Sequence, residues 1–313
     1  MGSPSGETGE DHRHGGRSRR CDGRRASPHR GVTTRMTPNP MLRVGKIPFL
    51  NLFPIFRALE TRFPVEYVRF VSGHPSELNR KLRSGKLDIA PSSSIEYGKF
   101  PQRYLLCPNI SISSRSKVMS VLLFSHRPVN DLPGDPIAVT SGSDTSIILL
   151  EILLREFLRK RNRLVRTSLS AGEALQRYPA YLAIGDEAIR ASLDGVADHV
   201  TDLGEWWHRE TGTPFVFALW IVSRDSLRKR ETTLRRFART LAAAKEEARK
   251  EIDQEDGLLS GPEWIPRDFL TEYWRNLSYD LSGEIEGLER FFLLARKIGR
   301  IPEPPPLRFL DLP

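Results

Sequence analysis

Apolar positions in this chain fall into short β-like runs alternating with stretches of helical period. Residues 42–47 form a short apolar run that predicts a strand, and 52–59 read as a helix. Residues 65–71, β-branched and aromatic, predict a second strand. Residues 75–83 read as a helix stopped at Gly85, and 87–90 as a buried strand followed by a helix from Ser93. Residues 110–114 and 118–124 are strand-like and close together. A strand over 137–140 and an amphipathic helix over 147–158 follow. Next come strand 164–167, helix 172–177, strand 181–184 and helix 187–192. The longest apolar run, eight residues over 215–222, predicts a long buried strand. Beyond it the pattern is helical. Leu227, Leu234, Phe237, Leu241, Ala244, Ala248 and Ile252 share one face of a long helix, and further helices are expected near 267–275 and 284–297. A Pro-rich tail from Pro302 reads as extended, and there is no internal repeat. Alternation of strand and helix predicts an α/β fold built on a parallel sheet covered by helices.

Composition sharpens this reading. With 313 residues and 39 % hydrophobic side chains, the chain can bury a core large enough for two domains or one two-lobed domain. Two cysteines exclude a disulfide framework and a multi-cysteine zinc module. An eight-residue apolar run is far short of the roughly 20 residues a membrane-spanning helix needs. Of the net charge of +9, residues 1–40 carry eight Arg against four acidic residues, so +4 lies there and +5 in residues 41–313. The first 40 residues also hold seven Gly and almost no large apolar side chains, and are expected to form a disordered basic extension. Arg19-Arg20 invites a twin-arginine reading, but residues 21–40 lack the apolar stretch of a secretory signal. Initiation at Met36 or Met41 and a cytoplasmic location are expected instead. A nucleic-acid-binding arm is the competing reading of the extension. The modest excess over residues 41–313 suits a protein that handles small anions, with neither a nucleic acid nor a membrane as partner.

Open α/β sheets bind ligands at the carboxyl ends of their strands, where helices begin with free N–H groups and a partial positive charge. Four junctions qualify. After the first strand, Asn51 either caps the next helix or aims its amide at a ligand. At Pro91-Ser92-Ser93-Ser94-Ile95-Glu96, Ser93 and Glu96 have the spacing of a capping box. That leaves Ser92 and Ser94 as hydroxyls suited to a carboxylate or phosphate. In Thr140-Ser141-Gly142-Ser143-Asp144-Thr145-Ser146, six of seven residues carry a hydroxyl or carboxylate, more than one cap requires. This surplus is the strongest physical sign of an anion site, although the Gly-Lys-Ser/Thr ending of a phosphate-binding loop is missing. At Ile184-Gly185-Asp186-Glu187, Asp186 either caps the helix or orients another site residue. Ser120, inside the apolar run 118–124, is either a small core residue or a site residue.

His74, His126, His199 and His208 are scattered without metal-ligand spacing. Cys107 has no paired motif and reads as buried. No nucleophile elbow and no Gly-rich dinucleotide fingerprint is present, so no nucleotide or metal cofactor is signalled. Trp206 and Trp207 read as packing residues, one of them a candidate for the cleft wall. Arg115 and Lys117 are the basic residues nearest the candidate cleft.

These junctions, in this order, resemble the chorismate dehydratases of the futalosine route to menaquinone. The resemblance starts at Arg43-Val44-Gly45-Lys46-Ile47-Pro48-Phe49-Leu50-Asn51. It continues through Leu87-Asp88-Ile89-Ala90-Pro91-Ser92-Ser93-Ser94-Ile95-Glu96-Tyr97, Val118-Met119-Ser120-Val121 and the Thr140–Ser146 run. Its later parts are Leu182-Ala183-Ile184-Gly185-Asp186-Glu187-Ala188, Asp202-Leu203-Gly204-Glu205-Trp206-Trp207 and Thr211-Gly212-Thr213-Pro214-Phe215-Val216-Phe217-Ala218-Leu219-Trp220. It covers roughly residues 42–300. Pro48, where the family commonly has a polar residue, and the variable run 111–117 depart from the pattern.

The resemblance implies a type II periplasmic-binding-protein-like fold, with two lobes and a ligand cleft between them. Crossover strands are expected near 124–127 and 213–217, giving lobe one as 41–125 plus 214–313 and lobe two as 126–213. It implies loss of water from chorismate to give 3-[(1-carboxyvinyl)oxy]benzoate, a hydro-lyase reaction with no redox step and no cofactor. Asn51 and Ser120 carry over as the catalytic residues, positioning the substrate by hydrogen bonds. Ser92, Ser94, Ser143 and Thr145 would hold its carboxylates at helix starts, and Asp186 joins the substrate-binding set. No obvious protein base emerges, and the acceptor of the C3 proton is either the enolpyruvyl carboxylate of chorismate itself or a protein group, with Asp186 as the nearby carboxylate to test. The competing readings are a non-catalytic small-carboxylate-binding protein or sensor on the same fold, and the sister enzyme that makes dihydroxynaphthoate, whose early His-Ser-Pro-type motif is absent.

Overall fold

Two mixed sheets organise the chain, and the order of their strands explains where the loops meet. The computed structural model describes residues 41–254 and 261–312, together with Gly2. The extension expected over residues 1–40 lies outside the described residues, Gly2 apart. The first sheet contains β1 (Leu42–Lys46), β2 (Val68–Ser72), β3 (Ile89–Ser93), β4 (Tyr104–Ser114), β10 (Phe215–Ser223) and the short β11 (Leu277–Ser278), in the order β11-β4-β10-β3-β1-β2. The second contains β5 (Val121–Ser125), β6 (Ile137–Thr140), β7 (Leu164–Thr167), β8 (Ala180–Ile184) and β9 (His199–Asp202), in the order β7-β6-β8-β5-β9. The helices are α1 (Phe53–Thr61), α2 (Pro75–Arg83), α3 (Ser94–Lys99), α4 (Asp144–Ile152), α5 (Ala171–Leu175), α6 (Gly185–Leu193), α7 (Leu203–Thr211), α8 (Arg224–Asp253), α9 (Arg267–Asn276) and α10 (Ile285–Lys297).

The sheets are not purely parallel, as the alternation of elements predicts. β1 runs parallel to β2 and β3, and β6 parallel to β7 and β8. β10 is antiparallel to β3 and β4, and β5 antiparallel to β8 and β9. The reason lies in where each returning strand starts. Ala218 of β10 faces Ser93 at the carboxyl end of β3, and Val121 of β5 faces Ile184 at the carboxyl end of β8. A chain that crosses between sheets at their carboxyl ends has only the reverse direction left to run. β5 therefore pairs in the second sheet, and the first crossing falls at residues 115–120, earlier than the expected 124–127.

Local pattern accounts for most elements. β10 is buried along nearly its whole length because it has neighbours on both edges, which is why it reads as a continuous apolar run. Along α8, Leu234, Phe237, Leu241, Ala244, Ala248 and Ile252 form a buried stripe packed against α1. The predicted helix over 147–158 is α4 followed by a π-helical turn over Leu153–Phe157. β9, α7 and β11 have no counterpart in the predicted elements. β9 is an edge strand with exposed or half-buried side chains and so lacks an apolar run. Cys107 is buried, and burial alone pushes its thiol up to about 12.

One buried carboxylate ties the start of β3 to β1 and α8. Asp88, fully buried, accepts from the Arg43 guanidinium at 2.8 Å, from Arg230 at 2.7 Å and from the Ser226 hydroxyl at 2.7 Å. Its carboxylate also accepts the Arg43 backbone N–H at 2.8 Å. Arg230 leaves helical geometry inside α8, at φ −143° and ψ 37°. Burial pushes the Asp88 carboxyl up, but the Arg43 and Ser226 hydrogen bonds outweigh it and hold it below its ordinary value. A carboxyl lowered on folding contributes stability above its unfolded pKa, about 3.9, and loses it as pH falls through the lower folded value. Asp88→Asn should therefore lose on the order of 3 kcal/mol at neutral pH. In denaturant titrations its deficit against the native chain should narrow below about pH 4. A deficit that stays constant to pH 2 would show that the charge of Asp88 is not what stabilises this corner.

Candidate active site

The loops following β1, β6 and β8, the end of β3 and the crossing segment 115–120 surround a cavity of about 60 Å³. Asn51 and Ser93 line it from the first sheet, Ser143, Ser146 and Gly185 from the second, and Ser120 from the crossing segment. Phe49, Ile184 and Phe217 supply apolar wall. Helices α1, α3, α4 and α6 all begin at these loops. None of the described lining residues is Asp, Glu, His, Lys or Arg. An anion in this cavity would meet hydroxyls, an amide and the positive ends of helices rather than cationic side chains.

Ser120 is set by a tight loop. Met119 before it has a left-handed backbone, φ 58°, which is costly for a non-glycine residue. Asp202 compensates. Its carboxylate accepts the N–H of Met119 at 2.7 Å and of Val118 at 3.1 Å, while also capping α7 through Gly204 N–H at 2.9 Å and Glu205 N–H at 3.1 Å. Burial pushes this carboxyl above its ordinary value, and the four amides pull against that rise. Gly204 is required by the same contact, since a Cβ there would sit 2.5 Å from the Ser116 carbonyl oxygen. The Ser120 hydroxyl accepts from the Tyr273 phenol at 3.1 Å and donates to the Val118 carbonyl at 3.3 Å. The second bond is long for an O–H donor.

Asn51 is not a helix cap, because Leu52 occupies that position of α1. Its Oδ1 is buried and has no hydrogen-bond partner, and the residue lines the cavity. Its loop is held from three sides. Asp186 Oδ1 accepts the Leu50 N–H at 3.0 Å, Trp274 Nε1 donates to the Leu50 carbonyl at 2.8 Å, and the Tyr279 hydroxyl donates to the Asn51 carbonyl at 2.9 Å. Trp274 also stacks on Phe53. Asp186 thus orients the Asn51 loop from the second sheet and is not among the lining residues. Burial pushes its carboxyl up, while the Leu50 amide opposes the rise. The neighbouring Gly185 has φ +61°, and a Cβ on it would come within 3.0 Å of the Phe49 ring.

The serine-rich junctions are arranged differently from their sequence reading. β3 extends to Ser93, held by its register with β10, so Ser93 faces the cavity. No capping box forms there, because Glu96 turns away to the Tyr104 hydroxyl at 2.8 Å and to Arg83. Ser92 and Ser94 are fully buried and do not line the cavity, and Ser94 donates to the Val216 carbonyl at 2.6 Å. Ser143 caps α4, accepts from the Ser146 amide and hydroxyl, and lies on the cavity. Thr145 points the other way and accepts the Ile95 N–H at 3.1 Å, while the adjacent Asp144 pairs with Lys99 at 3.0 Å. Together with Asp186 and Leu50, these bonds join loops of one sheet to loops of the other.

Other candidates fall away from the cavity. Trp206 and Trp207 are buried outside it, and Trp207 Nε1 donates to Thr213 and Pro214 at the second crossing. Arg115 is exposed, 3.7 Å from Glu284, and Lys117 lies 3.9 Å from Glu205. Arg115 borders a larger open hollow of about 530 Å³ that holds none of the expected site residues. No group of three or more His, Cys, Asp or Glu among the described residues is placed to hold a metal ion. Asp202, Tyr273, Trp274 and Tyr279 were not assigned roles from sequence. Asp202, before Leu203-Gly204-Glu205, carries a recognisable helix-cap signal. The aromatic residues carry none, because Tyr273 meets a partner 153 residues away.

Two sheets of order β2-β1-β3-β10-β4-β11 and β7-β6-β8-β5-β9, with the cavity between their loops, make a fold of the periplasmic-binding-protein kind. Solved structures share this fold. AF1704 from Archaeoglobus fulgidus superposes with a TM-score of 0.64 at 18 % identity, covering 83 % of this chain and 98 % of that one. The periplasmic aliphatic sulphonate binding protein SsuA from Escherichia coli gives a TM-score of 0.57 at 17 % identity, covering 85 % and 94 %. A family model described as menaquinone biosynthesis matches residues 42–297, and the chain belongs to that family. A chorismate dehydratase of Thermus thermophilus is 31 % identical over 199 residues, 57 % of this chain and 68 % of that protein. One of Campylobacter jejuni is 27 % identical over 202 residues, 63 % and 74 % respectively.

Asp202→Asn places an amide NH₂ against backbone N–H donors and leaves at least one of them without an acceptor. The cost should be about 2 kcal/mol, read as a lower denaturant midpoint with an unchanged slope. An unchanged midpoint would mean that the Met119 loop keeps its shape without the carboxylate.

Proposed function

We propose that this chain dehydrates chorismate to 3-[(1-carboxyvinyl)oxy]benzoate in menaquinone biosynthesis, as a hydro-lyase of the cytoplasm. Its family and its chorismate dehydratase relatives support the reaction class. The observation that carries the mechanism is the absence of any titratable side chain among the described cavity-lining residues. A proton must leave C3, and the nearby Asp186 carboxylate is engaged with the Leu50 amide. The base is then the substrate's own enolpyruvyl carboxylate, held close to C3 by its ether link. As the C3–H bond breaks, its electrons form the C3–C4 double bond and the C4–O bond breaks. The departing hydroxide combines with the proton as water. Electrons balance within the substrate, so the step requires no redox partner, and aromatisation of the ring drives it.

The protein's part is positioning and charge stabilisation. With both carboxyls ionised at neutral pH, the C4 hydroxyl is the only O–H donor chorismate offers. The unpartnered Oδ1 of Asn51 is an acceptor waiting for such a donor. The Ser120 hydroxyl can exchange its long bond to Val118 for one to the departing oxygen, where negative charge develops. Ser93, Ser143 and Ser146, with the starts of α4 and α6, suit the carboxylates. The catalytic assignment of Asn51 and Ser120 is retained in this reading, as is Ser143. Ser92, Ser94, Thr145 and Asp186 become supports of the site. A cavity of about 60 Å³ holds only a few water molecules, so substrate admission requires the loops of the two sheets to part. The lobes then follow the sheets, 41–114 with 215–312 and 121–211, joined through 115–120 and 212–214.

Purified protein incubated with chorismate should show the spectrum of an aromatic product whose mass is that of chorismate less one water. Asn51→Ala and Ser120→Ala should remain folded and lose roughly 10²–10³-fold in kcat. Saturable binding without turnover by the native chain would instead make it a carboxylate sensor. Asp186→Asn, which keeps an acceptor for Leu50, should retain measurable turnover. A folded Asp186→Asn that binds substrate and is inert would move the role of base from the substrate to Asp186.

A further inference from the structure

Three hydrogen-bonding roles are open to a serine hydroxyl, since it can donate once and accept twice. At Ser120 one acceptor role is already taken. Tyr273 is fully buried, and its phenol donates to Ser120 Oγ at 3.1 Å. Of these two hydroxyls the phenol is the donor in this structure, while the serine hydrogen is turned to the Val118 carbonyl: tyrosine gives and serine receives. The Ser120 hydrogen must then point elsewhere, and in this structure it reaches only a carbonyl at 3.3 Å. Tyr273 belongs to α9, whose other side chains brace the same site. Trp274 holds the Leu50 carbonyl, and Asn276 contacts the Met119 sulfur at 3.3 Å. Burial raises the phenol's pKa, so it stays protonated and remains a donor.

We propose that Tyr273 is a positioning residue for the dehydration: by occupying an acceptor site of Ser120 it directs the serine hydrogen into the cavity, toward the oxygen leaving C4. This role rests on the dehydratase reading. It involves no transfer of the tyrosine proton. Donation into Ser120 Oγ also polarises its O–H bond, so the serine becomes a stronger donor where charge develops. The bond matters more in the transition state than in the substrate complex, and its loss should appear in kcat rather than KM.

The test is a kinetic double-mutant cycle on chorismate with Tyr273→Phe, Ser120→Ala and the double variant. Tyr97→Phe serves as the control, since it removes another buried phenol bond, to the Pro306 carbonyl at 2.7 Å, outside the cavity. Tyr273→Phe is expected to lower kcat about tenfold, with KM held within about twofold. Added to Ser120→Ala, it should cause no further loss in kcat. Tyr97→Phe should lower the melting temperature without moving kcat. A Tyr273→Phe kcat equal to that of the native chain, or a full tenfold loss persisting in the Ser120→Ala background, overturns the role. If the phenylalanine chain does not fold, 3-fluorotyrosine introduced at position 273 keeps the shape and strengthens the donor. It should raise kcat, and an unchanged kcat overturns the role. A native chain that binds chorismate without converting it overturns the dehydratase reading and this role with it, whereas a native chain that turns over and an indifferent Tyr273→Phe overturn the role alone.

Discussion

The site depends on the four backbone N–H groups gathered by the Asp202 carboxylate. Two belong to Val118 and Met119 and two to the start of α7, so a single half-buried residue fixes both a strained crossing segment and a helix end. Without that acceptor, Met119 would have little reason to keep a left-handed backbone, and Ser120 would not be presented to the cavity. The carboxylate can be drawn out of water because four backbone donors face it. The glycine at 204 is the geometric condition for that approach.

From this clamp the rest of the cavity can be understood. A dianion must be recognised in a space whose described walls bear no cation, so selectivity falls to oriented dipoles and neutral donors. Such groups act only if they are held still, and most of the polar contacts around the cavity do this. Asp186, Trp274 and Tyr279 hold the Asn51 loop, while Asp202 and Tyr273 hold Ser120. The Asp186–Leu50 bond, like those of Thr145 to Ile95 and Asp144 to Lys99, runs between elements of different sheets, so both sets of loops contribute to this geometry.

Fold alone does not make this chain an enzyme, since solute-binding proteins share it at 17 % identity. An unpartnered amide oxygen, a serine with one acceptor role filled and a described cavity wall without a titratable side chain are the features of this site that the proposed reaction uses.

Much of this was determined by the sequence alone. Strand and helix periods are local, so most elements other than β9, α7 and β11 were legible, as were the hydroxyl-rich junction at 140–146 and the loop carrying Asn51. The ordered motifs pointed to the right family. Tertiary structure decided which hydroxyls face the cavity. At 92–94 the question turned on whether β3 ends at Ala90 or Ser93, and its pairing with β10, more than a hundred residues later, carried the strand onward and turned Ser93 rather than Ser92 or Ser94 to the cavity. β9 was hidden because an edge strand needs no apolar run, and the direction of β5 and β10 because it follows from where the chain crosses. Tyr273 and Tyr279 were invisible for the same physical reason. A hydrogen bond between residues 153 or 228 positions apart leaves no periodicity in the chain and exists only once the fold has brought its partners together.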